Sequence, residues 1–419
     1  MMTGSARPAV VPRSTPGQGA RTDVWAASLI PQSSGRVSSS VIRELLAVTA
    51  RPDIVSMAGG LPDERAMPAD WLAECAARAL GEPGALQYST TEGDPALRSS
   101  IADWESAWTG RPTDPDDVLV TSGSQQALDL LCRTLLDPGD AVVIEDPAYV
   151  GAIQALTAAG ASLHVVPQDR EGMSTELLAD RLAAGLRPKL VYVTPTFHNP
   201  AGSTLPENRR RHLAALADRY GFLIVEDDAY RRLAFGEAPP APVAGYTDRT
   251  ARLGTFSKIL SPGLRVGWLT APRPVLAAVT RSKQAADLHT STLAQALLRE
   301  AAADEARLQA HVDQVRVMYR DRAAHLTRVL AAAFGDRLAA GLPRGGMFSW
   351  AVFTDGTDTD ALLPQALANG VAFVPGRAFS VVGANGNALR LCFASVAEPT
   401  LTEGVRRLRS AWEGHASRG

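Results

Sequence analysis

Cysteine is scarce in this sequence. The 419 residues include three, Cys75, Cys132 and Cys392, and no two of them form a CxxC pair. A sparse, odd number without paired spacing argues against a disulfide scaffold. We therefore expect a protein of the reducing cytoplasm whose three thiols are inert members of the core.

Long apolar runs and an excess of charge of one sign are also missing. No apolar stretch reaches the roughly 20 residues that a transmembrane helix needs. The 42 basic and 44 acidic residues nearly balance, so nothing indicates a nucleic-acid partner. Residues 1–30 are rich in Pro, Gly, Ser and Arg and lack the apolar segment of a secretion signal. We expect a flexible tail there, although a transit peptide has a similar composition.

Short apolar stretches alternate with helical ones from about residue 66 onwards. A strand, a tight turn and a helix follow one another in "DVLVTSGSQQALDLLCRTLL", and further buried strands lie in "KLVYV" and "FLIVEDDAY". Strands of this length separated by helices predict an α/β fold, in which a mostly parallel central sheet carries helices on both faces.

The pattern changes beyond about residue 294. One long helix in "LQAHVDQVRVMYRDRAAHLTRVLAAAF" keeps a 3.6-residue apolar period, and the strands "GGMFSWAVF", "VAFVPG" and "ALRLCFA" follow it. A smaller α+β domain is therefore expected at 304–419, after a large domain at 66–303. Residues 31–65, with a short amphipathic helix after a serine cap, are expected to form an N-terminal arm and part of the small domain.

Polar clusters follow the ends of the predicted strands. They are "TSGSQQ", "EDPAY", "TPTFHNPAG", "EDDAY" and "TFSK". Ligands of open parallel sheets bind beyond the carboxyl ends of the strands, so these clusters are expected to share one site. Neither the GxGxxG nor the GxxxxGK[ST] pattern occurs there, which leaves a dinucleotide dehydrogenase or a nucleotide-binding protein without support.

Two charges in these clusters need a partner. Asp227 ends an apolar strand, and a desolvated carboxylate either pairs with a cation or rises in pKa. Lys258 lies among small and apolar residues, where an ammonium is costly. Pyridoxal 5′-phosphate would satisfy both, since its pyridine nitrogen is cationic when protonated and its aldehyde consumes an amine. The helix start at 122–125 offers an anion site for the phosphate, although serine and glycine are also common helix caps.

A series of motifs over residues 36–410 resembles those of a known family, the fold-type I, pyridoxal-phosphate-dependent class I/II aminotransferases. The branch that it resembles contains the 2-aminoadipate and kynurenine aminotransferases. The matching stretches include "SMAGGLP", "LQYSTTEGDPALR", "TSGSQQALDLL", "EDPAYVGA", "TPTFHNPAGST", "EDDAYRRL", "TFSKILSPGLRVGW" and "ALRLCFA".

The resemblance implies roles around the cofactor ring. Lys258 would form the Schiff base and shuttle the proton, and Asp227 would pair with the pyridine nitrogen. Tyr149 would stack on the ring, while Asn199 and Tyr230 would hydrogen-bond its 3-oxygen. The residues implied to hold the phosphate are Ser124, Gln125, Thr255, Ser257 and Arg265, with Tyr88 reaching the phosphate of a dimer partner.

The resemblance also implies a substrate site. Arg390 would bind the α-carboxylate of an amino acid. The backbone of Gly59 or Gly60 and the side chain of Asn199 would lie beside the substrate. Arg36 matches a position that can meet an acidic side chain, although an exposed arginine on a mobile segment is an equal alternative. No residue spacing supports a metal site.

Some positions depart from the family pattern or allow another interpretation. Ala229 stands where the branch has proline, and His198 stands where it commonly has glutamine; this histidine could titrate near the cofactor or merely pack. Tyr149 and Tyr88 could be ordinary core aromatics. Asp228 should lie on the strand face opposite Asp227, so only one of the two acids can reach the ring.

The predicted function is that of a homodimeric aminotransferase. An amino acid and a 2-oxo acid, with 2-oxoglutarate expected as acceptor, would react in turn by a ping-pong mechanism. The main alternative is another reaction on the same scaffold, such as β-elimination, decarboxylation or cyclisation, in the synthesis of an unusual amino acid. A regulator built on this domain is a further alternative, but the 35 or so residues before the fold are too few for a DNA-binding module.

Overall fold

The computed structural model describes residues 25–31, 35 and 51–416. Arg36 and the predicted helix at 38–50 lie outside the described residues. Of the predicted tail, only 25–30 are described, and Trp25–Ser28 form one helical turn.

The strands and helices of the described residues are named here in chain order. The strands are β1 (Val55–Ser56), β2 (Val118–Thr121), β3 (Ala141–Asp146), β4 (Ser162–Asp169), β5 (Gly172–Met173), β6 (Leu190–Val193), β7 (Leu223–Asp227), β8 (Thr250–Thr255), β9 (Gly267–Thr270), β10 (Leu338–Ala340), β11 (Phe348–Phe353), β12 (Val371–Ala372), β13 (Val374–Pro375) and β14 (Ala388–Cys392). The α-helices are α1 (Ala69–Leu80), α2 (Pro95–Thr109), α3 (Ser124–Leu135), α4 (Val150–Ala158), α5 (Thr175–Ala183), α6 (Glu207–Tyr220), α7 (Arg273–Asp287), α8 (Thr292–Ala303), α9 (Glu305–Phe334), α10 (Thr359–Ala368) and α11 (Glu398–Ala416).

An eight-stranded sheet forms the centre of the fold, in the order β2-β9-β8-β7-β6-β3-β4-β5. Strands β8, β7, β6, β3 and β4 are parallel, and β9 runs against both β8 and β2. Both faces are covered, because Val142 and Ile144 of β3 pack into one apolar core and Val143 packs into another. This burial on two sides explains why the strands read as continuous apolar runs, and it confirms the predicted α/β class.

The strand directions bring the polar clusters together. Because β2 runs parallel to β8, the carboxyl ends of β2, β8, β7, β6 and β3 meet at one edge of the sheet. Gly267, at the start of the reversed strand β9, pairs with Thr121 on one side and Thr255 on the other. The clusters after these strands are therefore neighbours in space.

The C-terminal part contains a second, antiparallel sheet in the order β10-β11-β14-β13. The long helix α9 precedes it, and the positions predicted from the 3.6-residue period are buried: Val312, Val315, Tyr319, Leu326 and Leu330. Strand β1 pairs in parallel with β12, so chain from before the large sheet packs with the C-terminal part. The domain boundaries at 65 and 303 stay predictions.

The three cysteines are free and buried, and burial raises the pKa of Cys132 to about 12. Among the described residues, no helix combines the length and the apolarity that crossing a membrane requires.

A buried ionic cluster lies behind the end of β7. Arg252 of β8 contacts Glu105 of α2, donates to Asp228 at 2.7 Å and lies 3.9 Å from Glu226. The indole N–H of Trp268 also donates to Glu105, at 2.7 Å. Buried carboxylates of this kind are tolerated only while their cationic partner remains.

We predict that Arg252→Met destabilises the protein by about 3–5 kcal/mol, because three buried carboxylates lose their shared cation. Urea unfolding followed by circular dichroism measures the loss. Arg211→Met is the matched control, since Arg211 pairs with Glu207 at the surface and should change little. Equal effects of the two substitutions would contradict the role given to the buried cluster.

Candidate active site

Asp227, the last residue of β7, is a buried acid without a cation. The hydroxyl of Tyr192 on β6 donates to its Oδ2 at 2.8 Å, while Oδ1 is buried and has no partner among the described residues. Burial raises the pKa of this carboxyl to about 6, even though the Tyr192 hydrogen bond opposes the shift. Oδ2 thus accepts a hydrogen bond from within the protein, whereas Oδ1 is available to a ligand.

Asp228, unlike Asp227, has cationic partners, which agrees with the opposite strand face that alternation predicts for it. It accepts hydrogen bonds from Arg231 at 2.6 Å and Arg252 at 2.7 Å. Burial by itself would raise the pKa of this carboxyl, but the two guanidinium groups outweigh it and hold the pKa below its usual range. Asp228 is therefore part of the ionic cluster, and the geometry favours Asp227 as the acid that meets a ligand.

Lys258 follows β8 at the same edge of the sheet. Its Nζ donates to the backbone oxygen of Gly60 at 3.1 Å, and no ion pair of the described residues includes it. Burial, together with the charges of Arg390 and Arg265, lowers the pKa of this amine to about 8. An amine with this pKa exists in both protonation states near neutral pH, which suits nucleophilic attack and proton transfer.

The start of α3 forms an anion-binding cradle, made by residues 122–125 and Arg265. Gly123 precedes the helix at φ +83°, and a Cβ there would lie 2.6 Å from Nη2 of Arg265. The glycine therefore lets a guanidinium approach free helical N–H groups. At the end of β8, which β9 separates from β2, the hydroxyl of Thr255 donates to the hydroxyl of Ser257 at 2.9 Å.

Tyr149 lies between this cradle and the acid. Its hydroxyl donates to Oε1 of Gln125 at 3.3 Å, and Nε2 of Gln125 donates to the backbone of Gly151 at 3.0 Å. Burial, reinforced by the negative charge of Asp227, raises the pKa of Tyr149 to about 12. Its ring is half-buried and packs against one of the apolar cores, so the alternative of an ordinary core aromatic stays open.

Arg390 on β14 is a buried cation without a carboxylate partner among the described residues. It donates to Oδ1 of Asn199 at 2.9 Å and to the backbone oxygen of Ala58 at 2.6 Å. Its guanidinium lies 4.3 Å from the ring centre of Phe348, and its Nε has no hydrogen-bond partner in the part of the chain that the structure describes. Burial lowers its pKa. A carboxylate ligand would compensate this desolvated charge.

Three other predicted site residues, Tyr230, Tyr88 and Gly60, differ in how deeply they are buried. Tyr230 is buried and meets Phe348 edge to face at 5.9 Å, and burial raises its pKa. Tyr88 is 79% exposed, so it is not a core aromatic, and its ring contacts His289 rather than the cradle. Gly60 lies against Phe348, where a Cβ would be 3.2 Å from the ring.

His198 packs inside the fold. It is fully buried, its Nδ1 accepts the N–H of Ala201 at 3.2 Å, and its Nε2 lies 3.2 Å from Oε2 of Glu145. The amide nitrogen of Gln168 also lies 3.2 Å from Nε2, so the ring has polar protein neighbours at both nitrogens. Of the two interpretations offered by the sequence, the geometry favours packing.

Sequence reasoning missed Tyr192 as the partner of Asp227. The only local signal is a tyrosine within the aliphatic run of β6. Its meaning depends on β6 and β7 being neighbours, which brings together two residues 35 positions apart.

We predict that Asp227→Asn stabilises cofactor-free protein at about pH 8 by up to about 3 kcal/mol. The folded-state pKa of about 6 lies above 3.8, the ordinary pKa of an aspartate side chain, so the stability that Asp227 contributes is complete below pH 3.8 and lost as the pH rises through 6. The gain should vanish near pH 4, and denaturant unfolding at the two pH values measures it.

Asp228→Asn is the matched control and should do the opposite. Its folded-state pKa is lowered, so its contribution is present at neutral pH and lost only in acid. A parent protein that is more stable than Asp227→Asn at about pH 8 would refute the predicted desolvation cost.

The chain matches the family model "Aminotransferase class I and II" over residues 56–408. It is 41% identical over 389 residues to a 2-aminoadipate transaminase of Thermus thermophilus, covering 91% of this chain and 96% of the relative. It is 38% identical to aromatic-amino-acid aminotransferase 1 of Thermococcus litoralis, covering 89% and 91%.

Solved structures agree. An α-aminoadipate aminotransferase of Thermus thermophilus, complexed with N-(5′-phosphopyridoxyl)-L-leucine, superposes with a TM-score of 0.87 at 38% identity, covering 94% of this chain and 100% of that one. A kynurenine aminotransferase of Pyrococcus horikoshii gives 0.88 at 36% identity, covering 93% and 98%. The chain therefore belongs to the class I and II aminotransferases, pyridoxal-phosphate enzymes of fold type I, in the branch that includes the 2-aminoadipate and kynurenine enzymes.

Proposed function

We propose that this enzyme moves the amino group of an L-α-amino acid to a 2-oxo acid at a single site, in two successive half-reactions, with glutamate and 2-oxoglutarate as one exchanging pair. The observation that carries the proposal is the joint placement of Lys258 and Arg390. Their hydrogen-bond acceptors, the backbone oxygens of Gly60 and Ala58, are two residues apart. A nucleophilic amine and a carboxylate-binding guanidinium are thus held at the spacing of one small molecule.

The residues present fit pyridoxal 5′-phosphate. The unpartnered, buried Oδ1 of Asp227 suits a protonated pyridine nitrogen, which would in turn stabilise the carboxylate. The start of α3 and Arg265 suit the phosphate. When bound, the cofactor supplies an aldehyde that condenses with amines and a ring that withdraws electrons from the attached carbon.

Each side chain then has one task. Lys258 would hold the cofactor through its amine and would act as the base at the substrate α-carbon. Asp227 would keep a negative charge beside the ring nitrogen. Tyr149 would cover one face of the ring, and Asn199 and Tyr230 would bind its 3-oxygen. Ser124, Gln125 and Arg265 of the cradle, together with Thr255 and Ser257, would bind the phosphate.

The proposed substrate is an α-amino acid with an acidic or aromatic side chain. The named activities of the relatives support this range, since they include 2-aminoadipate, kynurenine and aromatic amino acids. Arg390 would recognise the α-carboxylate that all of these share. A contact of Arg36 with an acidic side chain belongs to the same proposal, and Arg36 lies outside the described residues.

A homodimer is proposed as the working form. Tyr88 and Arg265 are exposed, although both would bind phosphate, and apolar Leu86 and Leu288 are 71% and 45% exposed. A second copy covering this surface would bury these side chains and bring Tyr88 to its partner's cradle. The three free, buried cysteines support the proposal that the dimer works in the cytoplasm.

We predict that Lys258→Ala abolishes covalent capture of the cofactor, because the sequence holds only two other lysines. Purified protein incubated with pyridoxal phosphate and reduced with borohydride is digested, and the labelled peptide is identified by mass spectrometry. The label should reside on Lys258 and vanish in Lys258→Ala. Lys189→Arg, which alters the surface partner of Asp140, is the control and should label fully. Label found on Lys189 or Lys283 in the parent would refute the assignment.

We predict that Arg390→Gln slows reaction with an amino acid by about 100-fold or more, since a buried charged hydrogen-bonding pair is lost. The reaction is followed by the change in cofactor absorbance in single turnovers. The slow reaction of the corresponding amine, which has no carboxylate, should stay within about twofold. Arg377→Gln, at an exposed ion pair with Asp358, is the control. A similar loss with both compounds would mean that Arg390 does not bind the carboxylate.

A further inference from the structure

A second buried lysine, Lys283, takes no part in the proposed reaction. Its side chain on α7 is fully buried, and its Nζ contacts both oxygens of Asp287, at 2.8 and 2.9 Å, and Oε1 of Gln126 at 3.1 Å. Asp287 is the last residue of α7, where the helix dipole favours a cation. Burial of an ammonium costs free energy. The residues that this buried ion pair holds in position therefore bear on its role.

What Lys283 and Asp287 hold is Ser122, the first residue of the cradle. The Ser122 hydroxyl donates to Oδ2 of Asp287 at 3.0 Å, and its backbone N–H donates to Oε1 of Gln126 at 2.7 Å. Nε2 of Gln126 donates to the same Oδ2 at 2.6 Å, which closes the network. The hydroxyl and the amide of one loop residue are thus both tied to the end of α7.

Arg265 contacts the same loop from the opposite side. Its Nη2 lies 3.5 Å from the backbone oxygen of Ser122 and would be 2.6 Å from a Cβ on Gly123. Ser122 is therefore constrained at its N–H, its hydroxyl and its carbonyl. A shift of this residue would displace Gly123 and the first N–H groups of α3 with it, and these are the groups that face an anion.

We propose that Lys283, Asp287 and Gln126 are positioning residues for the cofactor phosphate, which hold the cradle in its binding geometry without touching the ligand. This inference rests on the proposed function of the α3 start as the phosphate site. Lys283 has a second effect, because it neutralises a carboxylate next to an anion site. Removing the lysine leaves that negative charge behind, whereas removing the aspartate leaves a positive one.

The test separates phosphate recognition from recognition of the ring. Full-length protein freed of cofactor is titrated with pyridoxal phosphate and, separately, with pyridoxal, which lacks the phosphate; absorbance reports binding. The measured quantity is the ratio of the two dissociation constants. We expect Lys283→Met to lower the preference for the phosphorylated compound about tenfold, the cost of one charged hydrogen bond, with pyridoxal binding unchanged. Asp287→Asn should lower it less, because of the opposite residual charge.

Asp129→Asn is the matched control. Asp129 lies on α3 itself and pairs with Arg133 at 2.8 Å, and its substitution should leave the ratio unchanged. Equal weakening of both compounds by Lys283→Met would show a merely structural role and overturn the inference, and so would an unaltered ratio. If Lys283→Met does not fold, Ser122→Ala decides: deletion of this single hydroxyl must lower the ratio by about threefold. A parent protein without preference for the phosphorylated compound would refute the phosphate site itself. This result is distinguishable from failure of the positioning role, because it is seen in the parent protein and needs no variant.

Discussion

Removal of Asp227 from water is the constraint on which the site depends. Three consecutive acids lie at the end of the central strand β7: Glu226 and Asp227 are its last residues and Asp228 follows it, and alternation along the chain separates their side chains. Glu226 and Asp228 face Arg252 and its ionic cluster, while Asp227 faces the opposite side, where its carboxylate accepts a hydrogen bond from Tyr192 and has no ion-pair partner within the described part of the chain. An acid that is desolvated and not neutralised favours a cationic ligand, and a protonated pyridine ring bound there would relieve this desolvation cost.

The three lysines of the chain also differ in whether a carboxylate neutralises them. The chain has three lysines, and its other 39 strongly basic residues are arginines, which remain charged wherever they are buried. Lys189 and Lys283 pair with Asp140 and Asp287. Lys258 donates to a neutral carbonyl and has no carboxylate partner among the described residues, so its ammonium is the least compensated of the three. An amine must lose its proton before it reacts, and the position without a carboxylate makes that loss easiest.

A short stretch of chain before the large sheet contacts both Lys258 and Arg390. The N–H of Met57 bonds to Ala372, and the N–H of Cys392 bonds to Met57, so this stretch adds to the C-terminal part of the fold. Its next carbonyls, from Ala58 and Gly60, reach Arg390 and Lys258. Ala58, Lys258 and Arg390 are separated by about 200 and 130 positions along the chain, yet one strand-like segment sets the distance between the two cations.

Local pattern was enough to predict much of this protein. The apolar runs predicted β6 and β7, and the period of α9 predicted its buried face, because strand and helix periodicity depend only on neighbouring residues. The same pattern placed Asp227 and Lys258 after strands, in a setting where charge is costly, and alternation separated Asp227 from Asp228. The residue types then indicated the cofactor chemistry, and the order of motifs indicated the family.

Only the tertiary structure decided which residues form hydrogen bonds with the site residues. Tyr192 beside Asp227, Gly60 beside Lys258, and Asp287 beside Ser122 are contacts between residues 35, 198 and 165 positions apart. They exist because the sheet orders its strands 2-9-8-7-6-3 rather than by sequence, and because one reversed strand, β9, separates β2 from β8. Hydrogen bonds act over about 3 Å, and no periodicity along a chain records which distant segments come that close.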